Sequence, residues 1–177
     1  MPTHIAFLRA VNIGKRQYKT TDLKAALEGA GYGEVETYIQ TGNIKLTSPL
    51  RSSAKVEDAL EALFLADRGF DVVTMAFTPR QISQIAADAD ELAEEHGFAY
   101  GQYVTVLKTE PTAEVRESLE ALSGNGERLV VRGRAVHMLY DVPYGTSPTG
   151  ARLEKIAGPG TNRNGKVIRA LAEMWGG

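Results

Sequence analysis

The stretch GPGTNRNGKV, residues 158–167, places four residues between Gly160 and Gly165-Lys166. That is the spacing of a phosphate-cradling loop, in which glycines let backbone N–H groups close on phosphate and a Ser or Thr after the lysine holds Mg²⁺. Here Val167 stands in the Ser/Thr place. The residues before the loop, ARLEKIAG, read as a helix rather than the strand such a loop requires. The chain beyond is too short to supply a later strand with an acidic magnesium ligand. Nucleotide hydrolysis is therefore not expected. Two readings remain. In one, the stretch opens a helix whose free N–H groups, with Arg163 and Lys166, attract an anion. In the other, Asn162 or Asn164 caps the helix and the bases are solvated.

A second place for chemistry is RAVNIGKRQYK, residues 9–19. Asn12 and Gly14 tolerate positive φ, and Lys15, Arg16 and Lys19 add positive charge around a phosphate- or carboxylate-binding loop. A surface loop with no ligand fits equally. Arg9 closes an apolar stretch, so its charge must face solvent or an anionic partner. The third place is YIQTGN, residues 38–43. Tyr38 and Gln40 share a strand face, and Asn43 lies past the turn. They would line a polar surface with Arg9, or Gly42-Asn43 simply makes a hairpin. The candidate ligand-binding residues are thus Arg9, Asn12, Gly14, Lys15, Tyr38, Gln40, Asn43, Asn162, Arg163, Asn164 and Lys166.

Acid–base chemistry has less support. His4 is near the terminus, His96 follows an acidic helix end, and His137 lies in a strand. Asp141 and Tyr144 sit at a strand end, where a turn-forming Asp is the simpler account. The acidic run from Asp88 to Glu95 reads as a solvated helix face. No His/Asp/Glu spacing points to a metal, and no cofactor is expected. Catalytic residues are not legible, and whether the chain is an enzyme stays open at this level.

Elements that would hold these residues follow from periodicity. THIAFLRAV is a strand, TDLKAALEGAG a helix stopped by Gly31, EVETYIQT and IKLTS a hairpin pair, and Val56, Leu60, Leu63 and Phe64 one helical stripe capped by Ser52 or Ser53. FDVVTMAFT is a further strand. The β-α-β-β-α-β order over residues 3–78 is the ferredoxin-like pattern, an antiparallel sheet against two helices. Thr78, Pro79 and Gln81 then announce a helix through a capping box. QYVTVLKT, PTAEVRESLEALSG and the hairpin ERLVVRGRAVHMLY follow. A short helix opens at Ser147-Pro148, and NGKVIRALAEMW is the last helix. The fold class is α+β: a ferredoxin-like subdomain, 1–78, and a second subdomain, 79–177, with a related β-α-β-β-α arrangement plus a C-terminal helix, the two intertwined.

The 177 residues suit one large domain or two small ones. With a net charge of −2, the chain is not built as a general nucleic-acid binder. Nucleic acid is the minority partner, by aromatics such as Phe7 and Tyr38 projecting from the first sheet; a protein-interaction module is a further alternative. The chain has no cysteine, so disulfides, thiolate metal sites and cysteine nucleophiles are excluded. The N-terminal apolar stretch is too short for a signal peptide, and no run approaches the roughly 18 apolar residues of a membrane span. A soluble, cytoplasmic protein with no membrane partner is expected.

FLRAVNIGK, TYIQTGNI and TNRNGKV, in that order, resemble the bacterial family called domain of unknown function 1697. The matching positions are Arg9, Asn12, Gly14, Tyr38, Gln40, Gly42, Asn43, Thr161, Asn162, Arg163 and Asn164. The resemblance implies two intertwined α+β subdomains, the first ferredoxin-like, and brings no established activity. One departure stands out: family members commonly carry an aromatic, usually Trp, where this chain has Gly165. The expectation from all these observations is a protein that binds an anionic or polar small molecule in a cleft lined by the three Arg/Asn/Gly segments.

Overall fold

A short run of consecutive apolar residues makes the first strand, and a backbone reversal ends it. In the computed structural model, which describes residues 1–146 and 148–177, strand β1 (Thr3–Leu8) buries Ile5 and Phe7 on one face and Ala6 and Leu8 on the other. Ala10 and Asn12 adopt positive φ, 54° and 57°. The strand therefore stops before Arg9, which was expected within it, and Arg9 belongs to the loop.

Helix α1 (Thr20–Gly29), strands β2 (Gly33–Tyr38) and β3 (Asn43–Thr47), helix α2 (Ser53–Arg68) and strand β4 (Thr74–Phe77) follow. The sheet order is β2-β3-β1-β4, antiparallel throughout. This is the ferredoxin-like arrangement expected from the element order. Leu23 and Leu27 of α1 and Val56, Leu60 and Phe64 of α2 are buried in one core with Ala6, Leu8, Ile44 and Leu46 of the sheet. The stripe read from sequence is the core face, with Leu63 at its margin. Ser52 caps α2, its Oγ accepting the Lys55 N–H at 3.4 Å. The open edge of β4 is blunted: Thr74 and Ala76 donate N–H groups to the carboxylates of Glu61 and Glu57 on α2, at 2.9 and 2.7 Å.

Helix α3 (Pro79–His96) starts at the expected capping box. Thr78 N–H donates to Gln81 Oε1 at 2.8 Å, and Gln81 N–H donates to Thr78 Oγ1 at 3.3 Å. Next come β5 (Gly101–Leu107), α4 (Ala113–Glu120), β6 (Glu127–Arg132), β7 (Ala135–Tyr140), α5 (Thr149–Ala157), β8 (Gly160–Asn164) and α6 (Gly165–Trp175). The helix start expected at Ser147 lies outside the described residues. The second sheet has the order β6-β7-β5-β8, again antiparallel. Helices α4 and α5 bury Leu119 and Leu153 against Leu107, Leu129, Val131, Val136 and Met138. Gln102 ties α3 and α6 to the other face: its Nε2 donates to Ala89 O at 2.6 Å, and its Oε1 accepts from Arg169 at 2.6 Å.

Strand β8 corrects the reading of TNRN as a loop leading into a helix start. Thr161 and Arg163 pair in register with Val106 and Val104 of β5. The second sheet thus completes its own βαββαβ order. The chain forms two compact units, Met1–Ile82 with Trp175–Gly177, and Ser83–Met174. Among the described residues no helix is long and apolar enough to cross a membrane.

Candidate functional site

In the first unit the Asn12 loop is held by its own side chains. Asn12 Nδ2 donates to Gln40 O at 2.8 Å, and Asn12 Oδ1 accepts the Tyr18 N–H at 2.9 Å. Arg16 donates through Nε to Ala10 O at 3.0 Å, and through its guanidinium to Asp71 O. Gly14 turns the exposed tip at φ 57° and accepts from Gln17 Nε2 at 2.8 Å, with Lys15 exposed beside it. The amide of Asn12 is consumed in closing the loop, so its role is to fix the chain.

The segment YIQTGN is the tip of the β2–β3 hairpin. Tyr38, half-buried, is the last residue of β2 and pairs with Asn43. Ile39 takes φ 51°, which ends the strand and places Gln40 in the turn rather than on a face shared with Tyr38. Asn43 is buried and donates to Tyr38 O at 3.0 Å and Thr41 Oγ1 at 3.1 Å. Gly42 sits at φ 80°, and a Cβ there would meet Leu8 Cβ at 2.7 Å and Val11 Cγ2 at 2.9 Å. Asn12, Gln40 and Asn43 do line one notch, but its volume is about 10 Å³, room for one water. Phe7 is fully buried and packs edge-on against Phe77 at 5.7 Å, so it offers no stacking surface to a nucleobase.

In the second unit TNRN is divided by strand alternation. Arg163 is buried beside Thr161, donating to Thr161 Oγ1 at 2.8 Å and to Asn162 O at 2.9 Å. Burial pushes its guanidinium down to about 10, which leaves it charged at neutral pH. Asn162 points to the opposite face, where its Nδ2 donates to Thr105 Oγ1 at 3.0 Å. Asn164 caps α6, its Oδ1 accepting the Lys166 N–H at 2.8 Å, and the Lys166 side chain is exposed. The glycines of the apparent phosphate loop serve packing. A Cβ on Gly160 would meet Val106 O at 2.8 Å, and one on Gly165 would meet Gln102 O at 3.2 Å and Arg169 at 3.1 Å. With β8 paired to β5, there is no open loop of N–H groups for a phosphate to enter.

A larger opening lies at the β6–β7 end of the second sheet. It measures about 350 Å³ and is lined by His96 and Gly97 after α3, Ser123, Gly124 and Gly126 of the turn before β6, Glu127 and Arg128 of β6, and Leu139 and Asp141 at the end of β7. Gly124, Asn125 and Gly126 all take positive φ, and Gly126 lies so close to Val142 that a Cβ would meet Cγ1 at 2.6 Å. The carboxylates are engaged: Asp141 Oδ1 accepts the Ala99 N–H at 2.9 Å, and Glu127 accepts from Thr149 Oγ1. Ser123 Oγ accepts the Leu129 N–H at 2.9 Å and reaches back to Leu129 O at 3.4 Å, so its hydroxyl is not a nucleophile in waiting. His96 Nε2 lies 3.5 Å from Glu95. Arg128 is exposed and its guanidinium makes no hydrogen bond or ion pair among the described residues. The cleft therefore presents one uncommitted cation within a polar wall. Sequence reading passed over Arg128, because a lone arginine on the solvent face of an alternating strand carries no motif. Among the described residues no cluster of His, Asp and Glu could hold a metal ion.

His137 is the other unusual group. It is fully buried on β7, in a cross-strand row with Val130, Val104 and Arg163. Neither ring nitrogen has a hydrogen-bond partner among the described residues. Burial pushes its pKa down to about 4; Asp88 opposes that shift and Arg132 adds to it.

The model of a family described as "Protein of unknown function (DUF1697)" matches residues 1–137. That span contains the Asn12 loop and the hairpin tip, and stops short of Thr161–Lys166. A conserved bacterial protein from Streptococcus pneumoniae, of known structure, is similar in fold, with a TM-score of 0.72 at 21% identity over 99% of this chain and 98% of that one. No curated protein matches the chain.

Proposed function

The chain belongs to the DUF1697 family, and we propose that it is a binding protein for a small polar molecule bearing an anionic group. The observation that carries this reading is the cleft of about 350 Å³ in the second unit, a size typical of small-ligand sites, with Arg128 uncommitted while Glu127 and Asp141 are held by the scaffold. A carboxylate or phosphate at Arg128 gains a charge-assisted, bidentate partner. His96 and the 124–126 turn supply the remaining polar wall. The cleft contains no activated nucleophile, so the reading is of binding. A cytoplasmic location is part of the same proposal.

A thermal-shift screen of nucleotides, sugar phosphates and carboxylates tests the proposal. A hit should lose at least about tenfold in affinity with Arg128→Gln, the loss expected for one hydrogen bond to a charged group. Arg9→Ala and Lys15→Ala should leave it unchanged. An unaffected Arg128→Gln variant, or a panel in which only oligonucleotides bind, would overturn it.

A further inference from the structure

The chain holds two Asn-Gly pairs, at residues 125–126 and 164–165, and the fold treats them in opposite ways. Asn125-Gly126 is the centre of the tight turn ahead of β6, whose glycines line the cleft. Gly124 and Glu127 close the turn from either side: Gly124 N–H donates to Glu127 O at 2.8 Å, and Glu127 N–H donates to Gly124 O at 3.0 Å. Asn125 and Gly126, at φ 52° and 82°, fill the two positions between, where positive φ is required. Both are exposed. Neither the Asn125 side chain nor the Gly126 N–H has a hydrogen-bond partner among the described residues. Asn164-Gly165 is tied down. Asn164 pairs with Tyr103 in the sheet, its Oδ1 accepts the Lys166 N–H at 2.8 Å, and Gly165 is buried against Gln102.

We infer that Asn125 is a site of spontaneous covalent modification, converted through a cyclic imide to aspartate and isoaspartate, and that Asn164 is not. The Gly126 amide nitrogen attacks the side-chain carbonyl carbon of Asn125. A new N–C bond forms, the bond to the side-chain nitrogen breaks, and ammonia leaves with the Gly126 proton. Water then opens the ring at either carbonyl, so no oxidant or reductant enters. The attacking nitrogen must be free of hydrogen bonds and unhindered by a side chain, and Gly126, without a Cβ, meets both conditions. The product puts a carboxylate into the cleft wall, three residues before Arg128. Where the ring opens to isoaspartate, the main chain gains a carbon. The turn has no room for it: Gly126 O also accepts the Asp141 N–H at 2.7 Å, and Gly126 lies against Val142. The wall of the cleft is therefore remade with time, whatever the cleft binds.

The test incubates the full chain in mildly alkaline heavy-oxygen water, folded and in urea, and follows oxygen incorporation at each asparagine by peptide mapping with mass spectrometry. In the folded chain Asn125 should label at least about tenfold faster than Asn164, the protection expected where only local opening frees the reacting groups. In urea the two should label at similar rates. Asn125→Gln should lose the label, because the longer side chain must close a less favourable ring. Amide NMR of the incubated protein should show Glu127 and Asp141 displaced, and an equally incubated Asn125→Gln sample should not. If the Gln variant does not fold, the comparison of Asn125 with Asn164 decides. Equal labelling of the two in the folded chain, an Asn125 that labels only in urea, or unmoved Glu127 and Asp141 amides in a converted sample would each overturn the inference.

Discussion

Replacing His137 with leucine should flatten the acid sensitivity of the second unit. His137 is fully buried, with both ring nitrogens unpartnered. In the folded chain its pKa lies at about 4; unfolded, an imidazole titrates near 6.5. As pH falls below about 6.5, the unfolded state takes up a proton that the folded state refuses, so folding loses stability until the folded pKa near 4 is passed. The stability is present above about pH 6.5 and is lost across the window between the two values. A difference of about 2.5 units caps the loss at about 3 kcal/mol, and moving from about pH 7 to about pH 4.5 removes about 2 kcal/mol of it. His137→Leu keeps similar volume, deletes both unsatisfied nitrogens, and should be at least as stable as wild type at neutral pH. The assay is urea unfolding followed by far-UV circular dichroism at the two pH values, with amide hydrogen exchange in β5 and β7 to localise the change. Carboxylates titrate in the same range, so the readout is the difference between wild type and variant. Parallel loss of stability in both would refute the reasoning.

Two further outcomes follow from the first unit. Gly42→Ala forces a side chain into φ 80° and onto Leu8 and Val11; strain of about 1 kcal/mol and crowding of about 1–3 kcal/mol should lower stability by about 2–4 kcal/mol, read by Trp175 fluorescence in urea. That tryptophan reports on this unit through its 2.9 Å bond to Glu36. Asn12→Ala removes the contacts to Gln40 O and Tyr18 N and should cost about 2 kcal/mol in thermal unfolding, with ligand affinity at the Arg128 cleft unmoved.

The two sheets were legible in proportion to how local their signals are. β1, β6 and β7 are short apolar runs, α2 carries its stripe, and α3 its capping box; each pattern is closed within a few residues and each formed. β8 was not legible. Gly160–Asn164 has no apolar alternation, and what makes it a strand is its register with β5, more than fifty residues earlier in the chain. The ends of β1 and β2 were overrun for a similar reason: Ala10 and Ile39 take positive φ, a conformation neither residue type announces.

The same asymmetry governs the candidate sites. Asparagines and glycines at element ends draw attention because they accept unusual backbone geometry, and most of those here are used for that geometry. Asn12 closes a loop, Asn43 a hairpin, Asn164 a helix, while Gly42, Gly160 and Gly165 let backbone and side chains approach. A ligand needs what those residues lack, a polar group left over after the fold has taken its share. Arg128 meets that condition, in a strand whose sequence looks ordinary. Whether a polar atom is left over depends on the partners around it, and those partners lie far away along the chain.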